Sequence, residues 1–176
     1  IAANAPASIT NSAGVATPGE SNSGNNGATS VISVTATTNV TITVPAGISY
    51  SFNGQNVTGP QTFAVAPGTY TLSTTTPQSL GAGSRAVFAN WSDAGAIAHS
   101  VTVGSSALTI TGNYTTQFQL TTAASPANGG TVTPASGTFF DSGTVVNLSA
   151  TANAGFVFGS WTGPVASASS AATTVT

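Results

Sequence analysis

Apolar and polar positions alternate along most of the chain. Val40, Ile42 and Val44 fall on one face and Thr41 and Thr43 on the other, the period of a half-buried strand. Tyr50-Ser51-Phe52 runs into Asn53-Gly54 and then Gln55-Asn56-Val57. Asn-Gly takes up positive φ easily, so this stretch predicts a two-residue hairpin. Further strands are expected at residues 63–66, 70–73, 101–103, 108–111, 118–121, 145–149 and 156–158, where Thr, Val and aromatic side chains suit a pleated surface. No stretch carries the 3.6-residue period of an amphipathic helix. The expected class is all-β, with two tandem small antiparallel domains, sandwich-like in build.

The alternation lapses in NSAGVATPGESNSGNNGAT, which reads as a flexible linker over residues 11–29. It divides a short opening strand, 1–10, from two units at 30–116 and 117–176. The units align. Gly68-Thr69-Tyr70-Thr71-Leu72-Ser73 matches Gly143-Thr144-Val145-Val146-Asn147-Leu148-Ser149 with one residue of slippage, and Phe88-Ala89-Asn90-Trp91 matches Phe158-Gly159-Ser160-Trp161. The first unit continues beyond Ser100-Val101-Thr102-Val103 into a further strand at 108–116, for which the second has no counterpart after Thr173-Thr174-Val175-Thr176. The second unit is therefore expected to lack its last strand. Residues 29–37, TSVISVTAT, are expected to pair within the first unit.

Composition narrows the function. The 176 residues include one Lys or Arg, three acids and one His, and only 2% are charged, against about 25% in an ordinary soluble protein. Phosphate neutralisation takes several cations, so nucleic acid is excluded as a partner, and a polybasic membrane contact fails likewise. No apolar run reaches the roughly 18 residues of a membrane span. Without Cys there is neither a disulfide framework nor a thiolate metal site. So few charges leave little repulsion between copies, which suits a secreted protein that associates with itself.

Residues 118–163, FQLTTAASPANGGTVTPASGTFFDSGTVVNLSATANAGFVFGSWTG, resemble bacterial extracellular B-type repeats of the divergent internalin class. The resemblance lies in the SPANGGTVTPASG turn, the GTVV strand and the closing AGFVF…WTG. Residues 39–116 look like a more remote relation sharing the Phe-x-x-Trp and ITGNY elements. The resemblance implies small β-rich modules strung along secreted or surface proteins, with no catalytic residues to carry over. In such repeats the Trp-Thr-Gly element leads to a final strand ending in an Asn-aromatic pair, as at Asn113-Tyr114.

The opening IAANAPASIT places Ile1, Ala3, Ala5, Ala7 and Ile9 on one face. Set against Ile110, it repeats the Ile-x-x-Asn frame of Ile110-Thr111-Gly112-Asn113 in register, although Ala5 then stands where Tyr114 does. A strand of this kind is suited to fill the gap in the second unit by donor-strand complementation from another subunit. Burial of two Ile and three Ala gives on the order of 6–10 kcal/mol before ordering costs. The expected acceptor groove is Val145, Leu148, Phe156, Phe158, Trp161 and Val175. A linker of about 18 residues spans at most about 60–65 Å and coils to about 25 Å, so folding back onto the same subunit is disfavoured. Donor and acceptor lie on different surfaces, hence a head-to-tail, open helical assembly.

The expected function is that of a structural subunit of an extracellular filament whose partners are copies of itself. The alternative is a repeat, spacer or carbohydrate-binding module of a larger bacterial surface adhesin. No enzymatic activity, cofactor or metal is expected. Asp93, His99 and Ser92 or Ser100 sketch a hydrolase triad without a nucleophile-elbow context, and Asp93, Asp141 and Glu20 are too scattered for a calcium loop. Trp91 and Trp161 are expected to pack in cores rather than form a sugar platform. Arg85 is placed to pair with Asp93 or Asp141, a contact of small worth at a surface. Asn39, Asn56, Asn90, Asn113 and Asn147 each begin an Asn-x-Ser/Thr sequon. A Thr-rich composition produces these by itself, which leaves glycans an open option.

Overall fold

The computed structural model describes residues 8–15, 18, 19, 21, 24, 27–33 and 35–176. Fifteen strands and no α-helix form among them. An amino-terminal pair, β1 (Ser8–Gly14) and β2 (Gly27–Ser33), precedes the first unit. That unit comprises β3 (Thr38–Thr43), β4 (Ser49–Phe52), β5 (Gln55–Thr58), β6 (Gln61–Val65), β7 (Gly68–Thr74), β8 (Gln78–Gly81), β9 (Ser84–Trp91) and β10 (Ala98–Val103). A long β11 (Leu108–Gln119) leads out of it. Last come β12 (Gly130–Thr133), β13 (Phe139–Asp141), β14 (Val146–Ala152) and β15 (Ala172–Val175).

The first unit is a sandwich. One sheet has the order β10-β7-β4-β5, the other β6-β3-β11-β9-β8. Their inward faces meet in a single core: Val40, Ile42, Ile110 and Trp91 from the larger sheet pack with Tyr50, Phe52, Leu72 and Val101 from the smaller. Phe52 stacks between Phe63, 4.7 Å away, and Tyr70, 5.5 Å away. The period-two pattern that predicts β3 and β4 is the pattern that fills this core. Asn53-Gly54 makes the β4–β5 turn with φ values of 49° and 79°. One pairing departs from the antiparallel expectation: β3 and β11 run parallel at Leu108–Thr111. The chain between them crosses to the other sheet and back, the long connection that a parallel pair requires.

Two expected boundaries are crossed by strands. β11 passes through the boundary at 116/117. Its first residues pair with β3, its middle with β9, and Gln117–Gln119 pair with β13 of the second unit. Nor is the expected linker wholly irregular, because residues 11–14 and 27–29 stand in the β1–β2 ladder. Ala13 faces Ala28 and Ser12 faces Thr29 there; short, small side chains with no apolar alternation pair through backbone alone and leave no periodic signal. Residues 29–33 accordingly pair with β1 rather than within the first sandwich. The expected strand at 156–158 does not form, since a turn at Ala154-Gly155 redirects the chain and Phe156 N–H closes onto Asn153 O at 3.0 Å.

Gly112 shows how tightly the sandwich closes. It sits in β11 opposite Trp91, and a Cβ there would lie 2.7 Å from the indole Cζ3 and 3.0 Å from Val44 Cγ1. We expect Gly112→Ala to lower stability by about 1–3 kcal/mol through overpacking. Urea denaturation would show this as a lower midpoint at unchanged slope.

Candidate functional site

The second unit is a three-stranded antiparallel sheet in the order β12-β14-β15. Val146 and Leu148 of β14 point inward and are buried. Ala150, on the same face, opens onto a hollow of about 150 Å³ bounded by residues 123–126, β12, the end of β14 and residues 156–161. Phe156, Phe158 and Trp161 line it together with Val132. Phe158 and Trp161 hold each other at 5.8 Å between centroids, and the Trp161 indole N–H donates to Ser170 O at 2.8 Å. The polar end of the indole is thereby satisfied and its apolar face is left at the hollow.

Of the six residues expected to form an acceptor groove, the structure gathers these three aromatics around one hollow. Val145 is 60% exposed, Leu148 is buried, and Val175 pairs with Val146 at the far end of β14; none of the three lines the hollow. β15 is also covered along its outer side by the preceding loop, where Ala166 N–H donates to Thr174 O at 2.9 Å and Ser167 N–H to Thr173 Oγ1 at 2.8 Å. Among the described residues β12 is the open edge. Of the expected donor residues, Ile9 stands in β1 opposite Ile32, while Ile1, Ala3, Ala5 and Ala7 lie outside the described residues.

The two Phe-x-x-Trp elements adopt one geometry. Phe88 and Trp91 lie 5.3 Å apart with rings inclined at 54°, and Phe158 and Trp161 lie 5.8 Å apart at the same inclination. Each indole N–H donates to a carbonyl downstream, Ile97 O for Trp91 and Ser170 O for Trp161. Trp91 is 1% exposed and is a core residue. Residues 120–176 match the family model of the divergent InlB B-repeat domain. The resemblance implied by the SPANGGTVTPASG and AGFVF…WTG stretches is thus found in the second unit, which is B-repeat-like over its sheet and its hollow. The match covers about one third of the chain. No curated protein and no solved structure matches the chain.

Between the B-repeat-like unit and the first sandwich lies the chain's one Arg. Arg85 Nε donates to Gln117 Oε1 at 2.8 Å, and Gln117 Nε2 donates to Asp141 Oδ1 at 2.8 Å. The guanidinium also covers the Phe139 ring at 4.0 Å. Of the two acids expected as its partner, Asp141 is reached through Gln117, and Asp93 is engaged elsewhere.

Asp93 Oδ2 meets His99 Nε2 at 2.9 Å, and the other ring nitrogen, Nδ1, lies 2.8 Å from Ala96 O. Ser92 Oγ accepts from Thr111 N–H, and Ser100 lies on the opposite face of β10 from His99. The imidazole therefore clamps the 93–99 loop and addresses neither serine. Burial pushes the Asp93 carboxyl up, but hydrogen bonds from Gly95 N–H and from His99, with the imidazolium charge, outweigh it and hold the group below its ordinary value. A carboxyl lowered in the folded state contributes stability above its unfolded value, near 4, and that contribution is lost as pH falls through the folded value. The melting temperature should fall below about pH 4 in the natural sequence. The fall should be shallower in Asp93→Asn, and thermal melts from pH 6 to pH 2 would compare them.

Proposed function

We propose that the chain is a structural, non-catalytic subunit of an extracellular assembly in which copies join head to tail. B-repeat domains are modules of extracellular and surface proteins, which supports the setting. The observation that carries the assembly is the B-repeat-like sheet itself, in which β12 is, among the described residues, an unpaired edge beside an apolar hollow. An edge of this kind is a template for a further strand.

The occupant is the amino-terminal segment of another copy. The hollow's size suits one large side chain, since a cavity of about 150 Å³ accommodates a benzene-sized group. Its anchor is an isoleucine, with Ile1 the candidate because Ile9 is held in the β1–β2 ladder. Every described side chain of β2 is exposed, Val31 and Ile32 by more than half. A two-stranded ribbon alone in water is marginally stable, so pairing along a second copy's edge stabilises both elements. Almost nothing charged stands in the way of that approach.

Electron microscopy of the natural protein tests the reading. Uniform fibres are expected. Isolated two-lobed particles at every concentration would instead favour a repeat spacer within a larger surface adhesin, a role the B-repeat match also suits.

A further inference from the structure

Four of the five sequons lie within strands and the fifth, Asn90-Trp91-Ser92, ends one residue beyond β9; their middle residues Val40, Val57, Trp91, Tyr114 and Leu148 are buried or half-buried. Asn and hydroxyl therefore emerge together on the solvent face, two residues apart. The five are not equivalent. Asn113 commits its side-chain N–H to Asn90 Oδ1 at 2.8 Å. Asn39 and Asn147 lie in interior strands, β3 and β14, where they face Ala64 and Thr174. Asn56 alone lies in an edge strand, β5, two residues beyond a tight turn.

A second feature sets Asn56 apart. It faces Ser51 across the β4–β5 ladder, and Ser51 faces Ser73 across β4–β7. These residues, with Ser49, Tyr50, Thr74 and Thr75, line a hollow of about 210 Å³ whose exposed wall is more apolar than polar. Short side chains on adjacent strands leave a trough there, with C–H groups for the apolar face of a sugar ring and with Ser49 Oγ 2.8 Å from Thr58 Oγ1.

We propose that Asn56 is the acceptor of an N-linked glycan whose first sugar ring lies in this trough. The donor class is a glycan on a polyisoprenyl pyrophosphate. The Asn56 amide nitrogen attacks the anomeric carbon and a C–N bond forms. The bond from that carbon to the phosphate oxygen breaks, the amide gives up one proton, and the lipid pyrophosphate leaves. Thr58, exposed on the same face, supplies the sequon hydroxyl. A glycan also supplies hydration to a surface that holds few charges. The proposal rests on the extracellular reading only in requiring export past a glycosyltransferase.

The test is peptide mass spectrometry on protein recovered from the surface fraction of its own source. Peptides spanning Asn56 should carry sugar masses, and occupancy should exceed that at Asn113. Thr58→Ala should lower occupancy at least tenfold and Thr58→Ser should restore it, with circular dichroism unchanged in both. Ser51→Val with Ser73→Val should leave Asn56 occupied but speed removal of the glycan by an endoglycosidase. An unmodified Asn56 in surface-fraction protein overturns the site while leaving the extracellular reading intact, and so does occupancy no higher than at Asn113. A removal rate unchanged by the double Val variant overturns the trough.

Discussion

Deleting residues 1–14 is expected to abolish head-to-tail association while leaving the first sandwich folded. Among the described residues β1 pairs with β2 and with no other strand, and the core begins beyond it at Val40. The joint loses one fully buried isoleucine, about 1.5–3 kcal/mol, and several edge hydrogen bonds at about 1 kcal/mol each. A loss of roughly 4 kcal/mol lowers an association constant about a thousandfold. Sedimentation velocity should show monomers where the full chain forms large species, with the same urea midpoint for the sandwich. The acceptor side can be tested independently by Thr131→Lys, a charge on the exposed face of β12, which should act in the same direction. Fibres of unchanged appearance from the truncated chain would remove the donor role from this segment.

Replacing the two tryptophans by alanine should separate the two units despite their shared geometry. Trp91 is fully buried between both sheets and touches Phe88, Gly112 and the His99 loop. Its removal leaves a large cavity, worth about 3–5 kcal/mol, a major part of the roughly 5–15 kcal/mol that holds a domain folded. Trp161 is half-buried at the rim of its hollow, so Trp161→Ala should cost less, about 1–2 kcal/mol on a proportionate share of the buried area. Its larger effect should fall on assembly, since the hollow loses a wall. Chemical denaturation read with fibre imaging distinguishes the two variants. Equal losses of stability would mean that Trp161 is as much a core residue as Trp91.

Where one face of a strand is buried, the sequence makes it readable. β3, β4, β7 and the start of β11 alternate because Val40, Ile42, Phe52, Leu72 and Ile110 supply a single core. The hairpin turn was legible in Asn53-Gly54, and the relation of the units in Phe-x-x-Trp. Strands held mainly by their backbones were not. β1 and β2 were legible as strands only in part, at 8–10 and 29–33, and not as partners, and β8 and β12 are four-residue edges. At the site, the aromatics of 156–161 were visible as a cluster. That they surround one compact hollow instead of a long groove was not, because the turn at Gly155 and the cover over β15 depend on contacts distant in sequence. Asp141 was legible as a partner for Arg85, but the Gln117 side chain that links them was hidden for the same reason.

β11 also determines how the molecule would carry load. Its twelve residues run unbroken from the core of the sandwich to the ladder with β13. A pull between the units is therefore taken along the strand axis, and the β9 and β3 ladders are loaded in shear. Their hydrogen bonds share the force together, where a zipper would break them singly. The bridge from Arg85 through Gln117 to Asp141 ties the same junction from the side. The chain thus meets a pull between its units along a continuous strand instead of through a loop.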